Sequence, residues 1–131
     1  MHESTESGLE EHYNAIYEKA VEALKSKDYD VIDKAIEEFK KSPEPATALS
    51  LMAEAVDGTA ESGDLEKTAQ YLERLLAAGE DVRYVESLAY KIARTLYEQG
   101  DIESGDKIAN FVVQSKGRKH ILDSHRRKAT V

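Results

Sequence analysis

Four histidines are the side chains of this chain best suited to hold a metal ion or to transfer a proton: His2, His12, His120 and His125. None of them stands in the helical zinc signature, in which two histidines flank a glutamate. His120 and His125 are five residues apart, which turns them about 140° away from each other on a helix. That angle is too wide for two ligands of one metal, so the sequence predicts no metal site.

The other residue types that serve catalysis also lack a suitable arrangement. Because the chain has no cysteine, a thiolate nucleophile, a thiolate metal site and a disulfide framework are excluded. Carboxylate pairs such as Glu37-Glu38 indicate solvent-exposed faces in so acidic a chain. The glycines fall singly instead of forming a phosphate-binding loop, and no serine stands in a nucleophile elbow. The sequence therefore predicts a protein that is not an enzyme and has no cofactor.

Size and composition favour one helical domain. The chain has 131 residues, of which 40% are hydrophobic and 34% charged, with two prolines and no tryptophan. This length supports a single core, and this composition is typical of helix rather than sheet. The first residues lack the apolar run of a secretory signal, and no stretch approaches the roughly 20 apolar residues that span a bilayer. We expect an all-α cytoplasmic protein that does not bind membranes.

The net charge of −8 hides an opposition between two parts of the chain. Residues 116–128 contain six basic residues and one acidic residue, so residues 1–115 have a net charge of −13. An acidic body repels phosphate, which makes nucleic acid an unlikely partner. The basic tail has three interpretations. The first is a solvated capping helix whose cations suit a helix C-terminus. The second is a segment that docks on the acidic body of its own or a second copy. The third is a contact for RNA or DNA.

Apolar residues recur every three or four positions along most of the chain, which predicts seven helices. After a flexible start at residues 1–8, the first helix is expected to run from about Leu9 to Lys25. The predicted caps of the second, fourth and fifth helices are Asp28, Asp64 and Asp81. The predicted ends of helices three to six are Gly63, Gly79, Gly100 and Gly117.

Proline and the last apolar residues define the remaining bounds. The third helix is expected to begin at Ser42-Pro43-Glu44-Pro45, since proline suits the first turn of a helix. The sixth is expected to include Val112 and Val113 on its apolar side. The seventh is expected to be shorter, at residues 118–128, with Ile121 and Leu122 as its apolar residues.

A short acidic motif recurs three times, at Asp28-Tyr29-Asp30, Asp64-Leu65-Glu66 and Asp101-Ile102-Glu103. The copies are separated by 36 and 37 residues, a period that is typical of stacked helical repeats. Short breaks between the helices favour antiparallel neighbours. The period therefore predicts three helical hairpins in a row, with the seventh helix covering the last of them.

Residues 88–109 resemble one tetratricopeptide repeat. In that family a small residue, here Ala93, lets two helices approach closely. Bulky residues, here Leu96 and Tyr97, precede a Gly-Asp turn, and a second small residue follows, here Gly105. Residues 12–43 and 48–80 resemble the repeat more loosely. The departures from the family pattern are Lys19, Ile32, Val56 and Thr68.

The resemblance implies a right-handed stack of three antiparallel hairpins within one domain over residues 9–128. The repeats would lie at about 12–43, 48–80 and 85–116, with a capping helix at 118–128. Another right-handed array of helical hairpins and an ordinary helical bundle are the alternatives.

In tetratricopeptide arrays the first helix of each hairpin lines a concave groove that accepts a peptide or a partner's helix. Carried over to this chain, the groove would present Tyr17, Val21, Leu24 and Lys25, then Ala53, Asp57, Ala60 and Glu61, and then Tyr90, Arg94, Tyr97 and Glu98. Tyrosines at helical spacing also pack between helices, so Tyr17, Tyr90 and Tyr97 have a second interpretation as core residues.

The period and the missing chemistry together predict a small adaptor that binds another protein through this groove. One alternative is a regulator linked to nucleic acid through its basic C-terminal helix. Another is a self-assembling structural protein, because contact between an acidic stack and a basic cap of a second copy can propagate into a homo-oligomer.

Overall fold

The structure, a computed structural model, describes the backbone of residues 2–130 and the side chains of residues 8–130. Over this range the chain forms seven α-helices and no strand, which confirms the all-α prediction. The helices are α1 (His2–Ser26), α2 (Tyr29–Lys40), α3 (Ala46–Glu61), α4 (Leu65–Ala77), α5 (Val82–Glu98), α6 (Ile102–Ala109) and α7 (Lys116–Ala129). None of the described helices is long and apolar enough to cross a bilayer.

Four helices begin at an aspartate whose carboxylate accepts a backbone N–H of the first turn. These caps are Asp28 for α2, Asp64 for α4, Asp81 for α5 and Asp101 for α6. Each bond satisfies an N–H that has no partner within its helix and is worth about 1 kcal/mol. The aspartate that opens each copy of the acidic motif is therefore the N-cap of α2, α4 or α6.

The turn before these caps needs a backbone conformation that glycine adopts most readily. Gly63 and Gly100 have φ values of +81° and +82° and directly precede Asp64 and Asp101. Lys27 occupies the matching place before Asp28, with a φ value of +62°. A left-handed conformation costs a residue with a Cβ about 1–2 kcal/mol, so the first of the three turns is the least favourable.

The helices pack against one another in chain order. α1 packs on α2 and α3, α3 also packs on α4 and α5, and α5 also packs on α6 and α7. Within residues 2–130, α1 packs against none of the helices from α4 to α7. Because α3 and α5 each lie among several other helices, most of the apolar core is built along these two. The buried side chains of α3 are Ala48, Leu51, Met52, Ala53, Ala55, Val56 and Thr59.

Two buried threonines join α3 to α4. The Oγ1 atoms of Thr59 and Thr68 lie 2.7 Å apart, and neither residue is exposed to solvent. Thr59 Oγ1 also lies 2.7 Å from the carbonyl oxygen of Ala55. If Thr68 donates to Thr59 and Thr59 donates to that carbonyl, both buried hydroxyls are satisfied, as buried polar groups require. Thr68 departs from the tetratricopeptide pattern, and this pairing gives its hydroxyl a partner.

One helix begins earlier than the sequence predicts. α1 begins at His2 and not near Leu9. The flexibility expected for residues 1–8 stays a prediction.

Another helix ends earlier than predicted, because α6 stops at Ala109 and does not continue to Gly117. The buried carboxylate of Glu86 on α5 accepts the backbone N–H groups of Val113 and Gln114, at 2.8 and 2.5 Å. These bonds hold residues 110–115 as a connection, in which Val113 is 58% exposed instead of lying on an apolar helix face. Gly117 consequently lies inside α7, which begins one residue after its cap, Ser115.

Two glycines inside helices should respond in opposite ways to alanine. A Cβ added at Gly105 would lie 2.5 Å from Cδ1 of Tyr97, a buried ring that cannot move aside. We expect Gly105→Ala to lower the free energy of unfolding by about 1–3 kcal/mol. At Gly58 the nearest atom is Leu24 Cδ2 at 3.8 Å, so Gly58→Ala should raise it by about 0.5–1 kcal/mol. Urea unfolding of both variants measures the difference, and equal effects would contradict this packing.

Candidate binding surface

Three residues predicted for the groove lie together on α5. Tyr90, Arg94 and Glu98 follow one another at four-residue intervals and so share one helix face. Tyr90 is half-buried, whereas Arg94 and Glu98 are exposed. The Arg94 guanidinium lies 5.7 Å from the centre of the Tyr90 ring, and Arg94 Nε lies 3.8 Å from Glu98 Oε1. One continuous row along α5 is therefore formed by the Tyr90 ring, the Arg94 guanidinium and the Glu98 carboxylate.

α7 adds two cationic or potentially cationic side chains to this face of α5. The Arg118 guanidinium lies 5.8 Å from the centre of the Tyr90 ring, so two guanidiniums approach one tyrosine. His125 Nδ1 lies 3.8 Å from Glu98 Oε1, and this contact is an ion pair when the imidazole is protonated. We call the five residues Tyr90, Arg94, Glu98, Arg118 and His125 the Tyr90 surface.

Sequence reasoning missed Arg118 and His125, because it treated residues 116–128 as a separate tail. The two residues are seven positions apart and therefore two helical turns apart on the same face. Leu122, which lies between them, is only 3% exposed. That spacing around one buried leucine was the available signal that this face of α7 packs on the body.

Asp106 of α6 holds the end of α7 in place. It accepts a hydrogen bond from Tyr97 Oη at 2.6 Å and two from the guanidinium of Arg126, at 2.8 and 3.1 Å. The hydrogen bond from Arg126, followed by the one from Tyr97, lowers the pKa of the Asp106 carboxyl below its ordinary value of 3.8. Burial and the bond to Asp106 raise the pKa of Tyr97. Part of the basic tail thus docks on the chain's own body.

Tyr97 lies in the core. The groove prediction expected its side chain to be accessible next to Tyr90, and it is not. Its side chain is 3% exposed, its ring packs over Gly105 of α6, and its hydroxyl is bound to Asp106. The missing Cβ of Gly105 leaves the space that the ring fills. Tyr97 therefore fits its second interpretation, as a residue that packs between helices.

Three of the groove residues predicted on α3, Asp57, Ala60 and Glu61, line a cleft between α3 and α5, whereas Ala53 is buried. Asp57 and Glu61 line this cleft of about 700 Å³ together with Lys91 and Gln99 of α5. Partial desolvation by the cleft walls raises the pKa of Asp57, while Lys91 opposes this rise and Glu61 adds to it. The cleft is therefore mixed in charge, and none of the five residues of the Tyr90 surface lines it.

Two of the four groove residues predicted on α1, Tyr17 and Lys25, lie apart from those on α3 and α5. The Tyr17 ring packs edge-on against Phe39 of α2, with 6.5 Å between the ring centres. It lines a second cleft of about 650 Å³ near the connection between α2 and α3. Lys25 lies 3.9 Å from Glu22 on its own helix. No contact among the described side chains joins either residue to the Tyr90 surface.

The Tyr90 surface combines several kinds of contact group. Over the described residues, no group of three or more histidine, aspartate or glutamate side chains is placed to hold a metal ion. A tyrosine ring next to guanidiniums offers apolar area, hydrogen-bond donors and positive charge within one small patch. That combination suits a side chain that has both an apolar part and a carboxylate.

The carboxyl of Asp106 should titrate below pH 3.8, the ordinary value for aspartate. Because its pKa is lowered in the folded state, the group stabilises the fold above its unfolded pKa, and this contribution is lost as the pH falls through the folded pKa. A carbon-13 NMR titration of Asp106 measures the midpoint directly. Arg126→Ala should raise it, whereas Arg127→Ala, which removes no bond to Asp106, should leave it unchanged. An unchanged midpoint in Arg126→Ala would contradict the proposed cause.

Comparison with protein-family models, with curated proteins and with solved structures finds no match for this chain. The tetratricopeptide resemblance therefore stays a prediction that rests on the residues that suggested it. At a coarser level, seven helices packed in chain order are compatible with a helical repeat.

Proposed function

We propose that this chain is a non-enzymatic interaction module, an adaptor that binds a peptide segment or a helix of another protein. The Tyr90 surface on α5 and α7 is the observation that carries the proposal. It is the place where residues expected to line a groove lie together, partly exposed and within contact distance of one another.

The chemistry of this surface fits a protein partner. Tyrosine offers a rigid apolar ring with a polar tip, so it binds with little loss of conformational entropy and is common among the residues that dominate interfaces. Arg94 and Arg118 can donate to a carboxylate of the partner while their guanidiniums stay next to the Tyr90 ring. Exposed ion pairs contribute little by themselves, so the ring supplies most of the expected affinity.

The finer architecture that we propose is a right-handed, tetratricopeptide-like stack of the hairpins α1/α2, α3/α4 and α5/α6, with α7 in the place of the next first helix. The directions of the second helices support it. The rings of Tyr29 on α2 and Tyr71 on α4 have centres 6.3 Å apart. One turn further along each helix, Asp33 accepts a hydrogen bond from Arg74 at 2.7 Å. α2 and α4 therefore run in the same direction, as the second helices of successive hairpins do.

The position of α7 supports the same architecture. Tyr90 lies next to Arg118, and two turns later Glu98 lies next to His125. α5 and α7 thus run in the same direction, as the first helices of successive hairpins do. In such a stack, α1, α3, α5 and α7 form one layer, and the Tyr90 surface is the part of that layer nearest the C-terminus.

A double substitution tests the proposed function. We expect Tyr90→Ala with Arg94→Ala to weaken binding of peptides selected from a random displayed library by about 30-fold, as losing roughly 2 kcal/mol at a dominant interface residue implies. Isothermal titration calorimetry measures the affinity of each selected peptide for both proteins, and circular dichroism checks that the helices are retained.

The matched control removes the same two residue types elsewhere on α5. Arg83 and Tyr84 are both exposed and belong to the first turn, so Arg83→Ala with Tyr84→Ala should leave the affinities unchanged. If no peptide is selected, or if the selected peptides bind the Tyr90 and Arg94 variant as tightly as the original protein, the Tyr90 surface is not the binding site.

A further inference from the structure

The first and last helices have opposite charges. α1 contains six acidic and two basic residues, a net charge of −4, whereas α7 contains six basic residues and one acidic residue, a net charge of +5. Each of these helices packs on only two others, α1 on α2 and α3, and α7 on α5 and α6. Both consequently have a side that no part of the described chain covers.

Three glutamates mark the uncovered side of α1. Glu11, Glu18 and Glu22 are exposed and lie roughly 160–200° around the helix from the fully buried Ala20. Glu22 has one weak ion pair, with Lys25 at 3.9 Å. Neither Glu11 nor Glu18 has an ion pair within the described part of the chain. We call these three residues the acidic stripe.

Three exposed cations lie on one flank of α7. Lys116, Lys119 and Arg127 are exposed and lie roughly 60–140° around the helix from the buried Leu122. The exposed Asp123 lies on the same flank, and Lys119 also lines the cleft between α6 and α7. Among residues 8–130, none of the three forms an ion pair, in contrast to Arg126, which is bound to Asp106. We call them the basic stripe.

We propose that the occupant of each uncovered end is a second copy of this chain, with the basic stripe of one copy against the acidic stripe of the next. Such a contact joins two different surfaces, so each dimer keeps one free stripe of each kind and can add further copies. The proposal does not depend on the adaptor function, because neither stripe includes a residue of the Tyr90 surface.

The contact area that one helix can offer is small, so we expect this association to be weak. α7 has 14 residues, so it is about 21 Å long and roughly 10 Å wide. A contact along one such helix is far smaller than the roughly 1,200–2,000 Å² of a stable complex. Opposite charges that face water are screened by salt, with a Debye length of about 30 Å at 0.01 M and about 3 Å at 1 M. We therefore expect association at high protein concentration and low salt.

The charge of the whole molecule favours a protein occupant over nucleic acid. A net charge of −8 repels phosphate at long range, whereas the acidic stripe of a second copy brings carboxylates to the basic stripe at a defined spacing. A polyanion that binds α7 remains a distinct outcome of the experiment below.

Charge reversal tests the pairing of the two stripes. One variant has Glu11→Lys, Glu18→Lys and Glu22→Lys, and the other has Lys116→Glu, Lys119→Glu and Arg127→Glu. Each change shifts the net charge of −8 by six units, so both variants stay negative overall. In the first variant both ends are basic and in the second both are acidic, so neither should associate alone. Their mixture should associate, because each end then finds an opposite partner.

Sedimentation velocity over a range of protein concentrations measures the association at about 20 mM and about 500 mM salt. We expect the wild-type dissociation constant to rise at least 10-fold between these conditions, and each single variant to stay monomeric. A control variant with Lys34→Glu, Lys41→Glu and Lys107→Glu has the same net charge as the second variant, but its changes lie on exposed positions of other segments. It should associate as the wild type does.

Three outcomes would overturn the proposal. The wild type could stay monomeric under all conditions, the single variants could associate as it does, or the mixture could fail to associate when the single variants have lost association. A wild type that stays monomeric but binds a DNA duplex, and loses that binding in the second variant only, would assign the basic stripe to nucleic acid instead. Circular dichroism of each variant establishes that its helices are intact before the masses are compared.

Discussion

No pair of helices in this chain covers its own apolar residues, and this constraint governs the rest of the structure. α3 has buried side chains around much of its circumference and needs α1, α2, α4 and α5 to cover them. α5 is in the same position, with α3, α4, α6 and α7 around it. Because burial of apolar area is the main favourable term in folding, the chain is stable only when neighbouring pairs pack together, and the helix at either end is left with an uncovered side.

α7 shows how the last helix is held with little apolar area. Leu122 is its one buried apolar residue among those described, so polar contacts contribute most of the specificity. Asp106 accepts hydrogen bonds from both Tyr97 and Arg126, and Glu86 holds the connection before the helix through two backbone N–H groups. Buried or partly buried polar networks of this kind fix a single arrangement. The register of α7 on α5 follows from these contacts, and with it the place of Arg118 and His125.

The two surfaces proposed for binding both depend on that register. The Tyr90 surface includes one side of α7, and the basic stripe lies on another side of the same helix. The packing of α7 on α5 therefore divides the cations of α7 into two sets. Arg118 lies with Tyr90, whereas Lys116, Lys119 and Arg127 lie on the other flank of the helix and form no ion pair among residues 8–130. The proposed adaptor function and the proposed association of copies therefore depend on different sides of one helix.

Several elements follow from local chemistry that the sequence displays directly. Asp28, Asp64 and Asp81 cap helices as predicted, because a capping bond involves residues only two or three positions apart. The bounds of α6 could not be predicted in this way, since they depend on Glu86, which lies 27 residues before Val113. The burial of Tyr97 likewise depends on the space above Gly105. The sequence by itself determined the number of helices and the aspartate caps of α2, α4 and α5, because those caps are interactions between near neighbours. Only the tertiary structure decided which tyrosine stays accessible and which cations are paired, because those outcomes depend on contacts between helices distant in the chain.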